Sequence, residues 1–430
     1  MSDTRRLHLG VLCPEISGHL NPFLTLCGEL LRRGHRVTFI GRLDAEQAAA
    51  RAGLEFHALG EREFPRGYWA ASVAELGRLS GRAALRYTIL RFSENSAVIL
   101  RDLPGVVRTL GVDGLIIDQT LPAASSVAQS LDVPFVTVCA AIMFNDEPDV
   151  PPPVTPWSYH RAGWARLRNW LGYRLFDYAI RQDREVIRVH RRRWNLPVAR
   201  TVDEICSPLA QIAQTPAEFD FPRQRLPEWF HYVGPLHARD SRPSVPFPFD
   251  QLDGRPLVYA SMGTLQTRLG HVFSTIARAC DGLGVQLVLS RGGSEAASIA
   301  GLPDGAIVVE FAPQLDLLER ATLTITHAGL NTTMESLMYG VPLIAVPITN
   351  DQPGVAARVK WTGTGDVVPL RTLSARSLRR AMARVLHDES YRRRAAEMQA
   401  AIARSGGVCR AAEIVEQAVA TGKPVLRNGI

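Results

Sequence analysis

The chain has 430 residues, 46% of them hydrophobic and 21% charged, with a net charge of +7; it is too long for one ordinary core, suits two domains of about 200 residues each, and is not disordered by composition. No apolar run approaches the ~20 residues of a membrane-spanning helix, and the start passes almost directly into a strand pattern with no leader. The cysteines at positions Cys13, Cys27, Cys139, Cys206, Cys280 and Cys409 have no C-x-x-C spacing, so neither a zinc site nor a disulfide framework is expected, and a reduced, cytoplasmic protein is.

In chain order, Leu7 to Cys13 reads as a strand, Asn21 to Arg33 as an amphipathic helix closed by Gly34, and Arg36 to Ile40 as a second strand. Strands follow at Asp113 to Ile117 and Val133 to Val138, with a helix pattern, Ala123 to Ser130, between them. Strands separated by helices predict βαβ units in a parallel sheet, whose ligands bind beyond the carboxyl ends of the strands. Two residues stand there. His19 lies in the loop after the first strand, before the helix, and Asp118 ends the strand at Ile117. An imidazole titrates near neutrality and suits a general base; a carboxylate beside it would fix the tautomer and stabilise the imidazolium. Glu15, close by, is expected to face solvent.

A Pro-rich stretch (Pro148 to Pro156) leads into a basic segment, Trp157 to Trp194, where ten Arg oppose Asp177, Asp183 and Glu185: 10 − 3 = +7, as much as the whole chain. The remainder is balanced, which argues against nucleic-acid binding. The segment interleaves Trp164, Leu167, Leu171, Leu175 and Tyr178 at helical spacing. Two readings are open: a helix lying on an anionic membrane, or one packing its apolar face on the N-terminal domain with the Arg in solvent. A second Pro-rich run, Gly234 to Pro256, reads as a linker. The expected division is a domain over 1–235, a linker over 236–255 and a domain over 256–430, the last helix packing back on the first domain.

Strand patterns resume at Leu257 to Ala260, Val285 to Ser290, Ala306 to Glu310, Leu323 to Thr326 and Leu343 to Val346, predicting an α/β chain of two doubly wound domains. After the first of these, Ser261-Met-Gly263-Thr264 forms a candidate phosphate-facing loop. After Thr326 the chain reads His327-Ala-Gly329-Leu-Asn331-Thr332-Thr333 and enters a helix closed by Gly340. A helix N-terminus attracts phosphate through its free N–H groups and partial positive charge. Gly329 would allow close backbone approach, and His327, Asn331 and Thr332 would donate hydrogen bonds. Glu335, one turn on, would accept from the vicinal hydroxyls of a ribose. Asp351 and Gln352, at the tip of the next strand, suit sugar hydroxyls.

The run Phe311-Ala312-Pro-Gln314, then Ile325 to Thr332, Glu335, Gly340-Val-Pro342, Pro347 and Asp351-Gln352 resembles the donor-binding signature of the UDP-glycosyltransferase superfamily. The resemblance implies the GT-B fold, two Rossmann-like domains facing across a cleft. It implies that Ala312 and Gln314 contact uracil through backbone groups while Phe311 stacks on it. His327 and the turn from Gly329 to Thr332 would hold the diphosphate, with Ser261, Gly263 and Thr264 opposite. Glu335 would bind ribose, Asp351 and Gln352 the transferred sugar, and His19 with Asp118 would be the catalytic dyad. Two positions depart from the family pattern: Phe311 replaces the Trp of plant members, which leaves uridine and thymidine donors less sharply distinguished, and Ala328 replaces the commoner Gly.

The resulting expectation is an inverting glycosyltransferase that moves glucose from UDP-glucose to a hydroxyl deprotonated by His19. No resident cofactor is expected, the nucleotide sugar being a co-substrate. No metal is expected either, since no D-x-D tripeptide occurs. The absence of G-K-[ST] and G-x-G-x-x-G motifs argues against nucleotide hydrolysis and hydride transfer. The stretch Asp351 to Val359 resembles the continuation found in zeaxanthin glucosyltransferases, which together with the basic segment implies a hydrophobic, hydroxylated acceptor such as a xanthophyll and peripheral contact with the inner face of an anionic membrane. The alternatives are a UDP- or dTDP-sugar transferase acting on a polyketide or macrolide, and a sugar-nucleotide-binding protein without turnover.

Overall fold

The computed structural model describes residues 5–79, 81–199, 201, 203–238, 245–263, 270–293 and 299–427. The first half runs β1 (His8–Leu12), α1 (Ser17–Arg32), β2 (Arg36–Gly41), α2 (Glu46–Arg51), β3 (Glu55–Ala58), α3 (Tyr68–Arg78), α4 (Gly81–Leu110), β4 (Gly114–Asp118), α5 (Pro122–Ser130), β5 (Phe135–Cys139), α6 (Gly163–Ala179), α7 (Arg181–Arg193), β6 (Gln211–Ala213) and β7 (Phe230–Tyr232). The second runs β8 (Leu257–Ser261), α8 (Gly270–Cys280), β9 (Gln286–Ser290), β10 (Ile307–Val309), α9 (Gln314–Leu318), β11 (Ala321–Thr326), α10 (Leu330–Met338), β12 (Leu343–Ala345), α11 (Gln352–Thr362), β13 (Gly365–Val367), α12 (Ala375–His387), α13 (Glu389–Arg404) and α14 (Gly407–Thr421).

The strands form two all-parallel sheets. One has seven strands in the order β3-β2-β1-β4-β5-β6-β7, the other six in the order β10-β9-β8-β11-β12-β13. Helices cover both faces, so β1, β4 and β5 are buried along their whole length and read as unbroken apolar runs. In each sheet the chain winds outward on one side and then returns to the other. The order therefore reverses between β1 and β4, and again between β8 and β11, leaving a crevice at the carboxyl ends of each pair.

Helix α1 begins at Ser17, four residues before the predicted start, so His19 stands in its first turn and not in a loop. Pro22 suggests a helix start, since proline is best tolerated at the first position. Here it lies inside the helix, where its missing N–H leaves the Gly18 carbonyl without the usual i→i−4 donor. That carbonyl accepts instead from Asn331 Nδ2, 3.0 Å away in the second half.

The first core is completed from the far end of the chain. Ala411, Ile414, Val415 and Ala418 of α14 are fully buried among Leu9, Phe23, Leu26 and Val136. The fit at Gly114 is close enough that a Cβ there would lie 2.6 Å from Val419 Cγ2. Between the halves, Asp220 accepts from Arg358 Nε (2.7 Å) and from Arg223 Nε (2.6 Å), all three side chains being buried.

Candidate active site

Both reversal points contribute to one cleft. At the first, His19 Nδ1 lies 2.8 Å from Asp118 Oδ2. Asp118 is fully buried, and its other oxygen accepts from the Thr120 N–H (2.8 Å) and hydroxyl (2.6 Å). The carboxylate is thus held on both oxygens and can present only Oδ2 to the imidazole. The His19 side chain keeps 16% exposure, leaving Nε2 as the ring nitrogen available to the cleft. Burial pulls the imidazole pKa down, but the Asp118 charge, its hydrogen bond and the Asp351 charge outweigh that and raise it above the ordinary 6.5.

At the second reversal point, Ser261 ends β8, Gly263 follows it and His327 follows β11. The imidazole of His327 fills the slot between Gly263 and Gly329. A Cβ on Gly329 would lie 2.5 Å from its Nε2, and one on Gly263, at φ +77°, would lie 2.7 Å from the ring. The two glycines are therefore required by the ring itself, where the sequence suggested ligand approach at Gly329. Burial holds His327 down to a pKa of about 4, against a hydrogen bond to the Ser261 backbone that raises it. At neutral pH it is an uncharged N–H donor. Ala328 takes φ +63°, a left-handed conformation that favours glycine.

A single cavity of about 2380 Å³ joins the two points. Twelve of the fifteen residues singled out from the sequence line it: His19, Ser261, Gly263, Phe311, Ala312, Gln314, His327, Gly329, Asn331, Thr332, Asp351 and Gln352. Asp118 stands behind His19, and Thr264 lies outside the described residues. Glu335 is not brought to the wall: it is 3% exposed, bonded by Gln314 Nε2 and facing His237 Nδ1 at 3.9 Å. To reach a ribose from there, Gln314 must turn aside. Phe311 is half exposed and lines the cavity. Gln352 Oε1 accepts from the Ile348 and Thr349 N–H groups at 2.8 and 2.9 Å, which aims its amide NH₂ away from its own loop. Asp351 Oδ2 accepts from the Ile142 N–H at 3.3 Å, and burial raises its pKa. The Asn331 amide is already engaged, donating to Gly18 and accepting from Gln214 Nε2 at 2.9 Å.

Sequence reasoning missed Thr120, although Asp118-Gln-Thr120 has the spacing of an Asx turn. It also misplaced Glu15. That side chain is 8% exposed and accepts from the Arg42 N–H at 2.9 Å; Arg42 in turn donates to Asn95 (2.8 Å) and covers the Phe64 ring at 4.4 Å.

Two such halves facing across a shared cleft make the GT-B architecture, and with it a glycosyltransferase that works on a nucleotide sugar. The chain belongs to the UDP-glucoronosyl and UDP-glucosyl transferase family, whose model matches residues 95–402. It is 35% identical to the zeaxanthin glucosyltransferase of Pantoea ananas, over 97% of both chains. It is 35% identical also to the zeaxanthin glucosyltransferase of Pseudescherichia vulneris, over 97% of this chain and 99% of that one. The calicheamicin glycosyltransferase structure superposes with a TM-score of 0.75 at 23% identity, over 98% of this chain and all of that one. Among the described residues, no helix is long and apolar enough to cross a membrane.

Proposed function

We propose that the protein transfers glucose from UDP-glucose to the terminal hydroxyl of a long apolar acceptor of the xanthophyll class, such as zeaxanthin, with inversion, while in peripheral contact with an anionic membrane. The cavity carries this reading. At about 2380 Å³ it is more than twice the usual upper size of a small-molecule pocket, about 1,000 Å³. Beyond His19 its wall includes Phe64, Trp69, Leu76, Phe92, Phe144 and Phe176, interspersed with charged side chains such as Arg42, Arg91, Asp183 and Arg191. The two zeaxanthin glucosyltransferases, similar from end to end, support the same acceptor class.

In this mechanism Nδ1 of His19 is committed to Asp118, so Nε2 takes the acceptor's proton. The acceptor oxygen forms its bond to the anomeric carbon as the bond from that carbon to the diphosphate oxygen breaks on the opposite face. The electron pair leaves with UDP. The N-terminus of α10 faces the departing diphosphate and offsets its charge, and a proton drawn onto His327 by the diphosphate adds to this. His19 then returns its proton to solvent. No metal and no resident cofactor enter, so a chelator should leave the rate unchanged.

The test is a matrix of UDP-glucose and dTDP-glucose against zeaxanthin, a macrolide aglycone and a soluble phenol, with products weighed by mass spectrometry and the anomeric configuration read by proton coupling. A β-glucoside of zeaxanthin from UDP-glucose is expected. A macrolide product from dTDP-glucose would replace this reading, and donor binding without any product would leave a binding protein.

A further inference from the structure

Helix α6 turns its apolar side outward. Its buried residues are the small or polar Ala165, Asn169 and Gly172, whereas Trp164, Leu167, Trp170, Leu171, Leu175 and Tyr178 are 49–68% exposed. The cause is close approach on the inner side. A Cβ on Gly172 would lie 2.7 Å from the Trp157 ring and 2.9 Å from Pro152, so only small residues fit there and the bulky ones stand outside. Six of the fourteen large hydrophobic side chains exposed among the described residues sit on this helix, which makes a patch and not the scattered exposure of an ordinary surface.

Arginines thread the patch. Arg168 lies over Trp164 at 5.3 Å, Arg174 over Trp170 at 5.6 Å and Arg181 over Tyr178 at 3.9 Å. Among the described residues Arg161, Arg174 and Arg181 have no carboxylate within ion-pair distance, so their charge is free to meet an external anion. A second copy of the chain would bring the same positive patch against itself in a two-fold dimer. An anionic bilayer matches both properties, since Trp, Tyr and Leu enter the headgroup boundary while Arg meets lipid phosphate. The inner flank of the same helix reaches the cleft, where Phe176, with Ile180 just past the helix end, forms part of the cavity wall and packs 6.1 Å from Phe144.

We propose that α6 docks the protein on an anionic bilayer through the stripe Trp164, Leu167, Leu171, Leu175 and Tyr178, placing the acceptor cavity against the membrane in which an apolar acceptor dissolves. This makes the membrane contact proposed above specific to one helix, and its last clause alone rests on the acceptor reading. The full chain is sedimented with phosphatidylcholine vesicles, with and without phosphatidylglycerol, in the absence of donor and acceptor. Wild type should pellet with the anionic vesicles, and less so at about 1 M salt, where the Debye length falls to about 3 Å. The double variant Leu171→Glu with Leu175→Glu should bind about tenfold or more weakly, with its melting temperature and UDP affinity unchanged. It should also slow turnover of a vesicle-borne acceptor but not of the same acceptor in detergent. Wild type remaining in the supernatant overturns docking, as does a variant that pellets like wild type. A wild-type dimer made monomeric by the variant would show that a second copy covers the face. Vesicle binding without any xanthophyll product would leave docking standing and remove the acceptor reading.

Discussion

A buried carboxylate bonded on both oxygens holds, at the cleft, an imidazole with one free nitrogen, which is the arrangement of a general base. His19→Ala should therefore lower transfer by ~10²-fold or more while UDP affinity, measured by calorimetry, stays at the wild-type level; full activity would defeat the mechanism. The direction of the His19 pKa adds a second check. The base works when neutral, so a raised pKa puts the acid limb of kcat/KM above 6.5. Asp351 contributes to the raise, so Asp351→Asn should move that limb to lower pH, and an unmoved or upward-shifted limb would remove Asp351 from the neighbourhood of the base. His327 carries the opposite sign. Its pKa of about 4 means that a bound diphosphate, by favouring the charged ring, draws in a proton. UDP binding to the His19→Ala variant should then tighten as pH falls from about 7 toward 5, and its enthalpy should depend on the buffer's ionisation heat. The pairing of His19 with Asp118 was legible because both lie beyond or at the carboxyl ends of strands in a βα pattern, Asp118 as the last residue of β4 and His19 after β1. The burial of Glu15 was not, because its partner Arg42 enters from β2 and only the folded sheet brings the two together.

At the scale of elements, the long apolar strands could be read because a parallel strand buried on both faces is a continuous run. Of the three-residue strands, β10 and β12 stand in apolar runs and could be read, whereas β6, β7 and β13 each carry a polar residue and no such run marks them. The start of α1 was misread for one reason, Pro22, whose released Gly18 carbonyl finds its donor 313 residues away. The outward face of α6 could not be chosen from periodicity, which defines a stripe but not the side it faces; Gly172 against Trp157 decides it. The glycine slot around His327 allows a contrast between elements. Gly329→Ala must displace the imidazole, since the new Cβ would lie 2.5 Å from Nε2. UDP affinity should fall about tenfold or more as one donor is misplaced. Gly28→Ala, at an exposed position inside α1 with nothing within 4 Å, should instead stabilise the protein by about 0.5–1 kcal/mol and leave UDP binding alone. Equal UDP affinity in the two variants would show that the slot does not set the position of His327.

For the molecule as a whole, the proposed mechanism requires the first half's base to meet a sugar held by the second, so the ties between halves bear on it. One tie is covalent in route, the chain crossing back so that α14 completes the first core. Another is ionic and lies away from the cleft. Asp220 of the first half is 4% exposed and Arg358 of α11 is 1% exposed, with 2.7 Å between them. Burial would raise the Asp220 pKa, but Arg223 and Arg358 together hold it down to about 2. Because this is below the 3.8 of an unpaired Asp, the contribution is complete above that pH and is lost only as pH falls through about 2. Ordinary acid conditions will not release the tie, whereas a substitution will. Arg358→Met preserves much of the volume and leaves Asp220 to Arg223 and the Tyr232 hydroxyl. Removing one partner of a buried pair costs about 3–5 kcal/mol when the charge is left uncompensated, and Arg223 should hold the loss to the lower end of that range. None of the residues singled out for the donor touches this pair, while the distance from His19 to the anomeric carbon depends on how the halves sit. The variant should accordingly keep wild-type UDP affinity in calorimetry, melt at a lower temperature and lose kcat more than donor KM. A variant that loses UDP affinity and kcat in parallel would mean that Arg358 supports the second half internally and not its seating on the first.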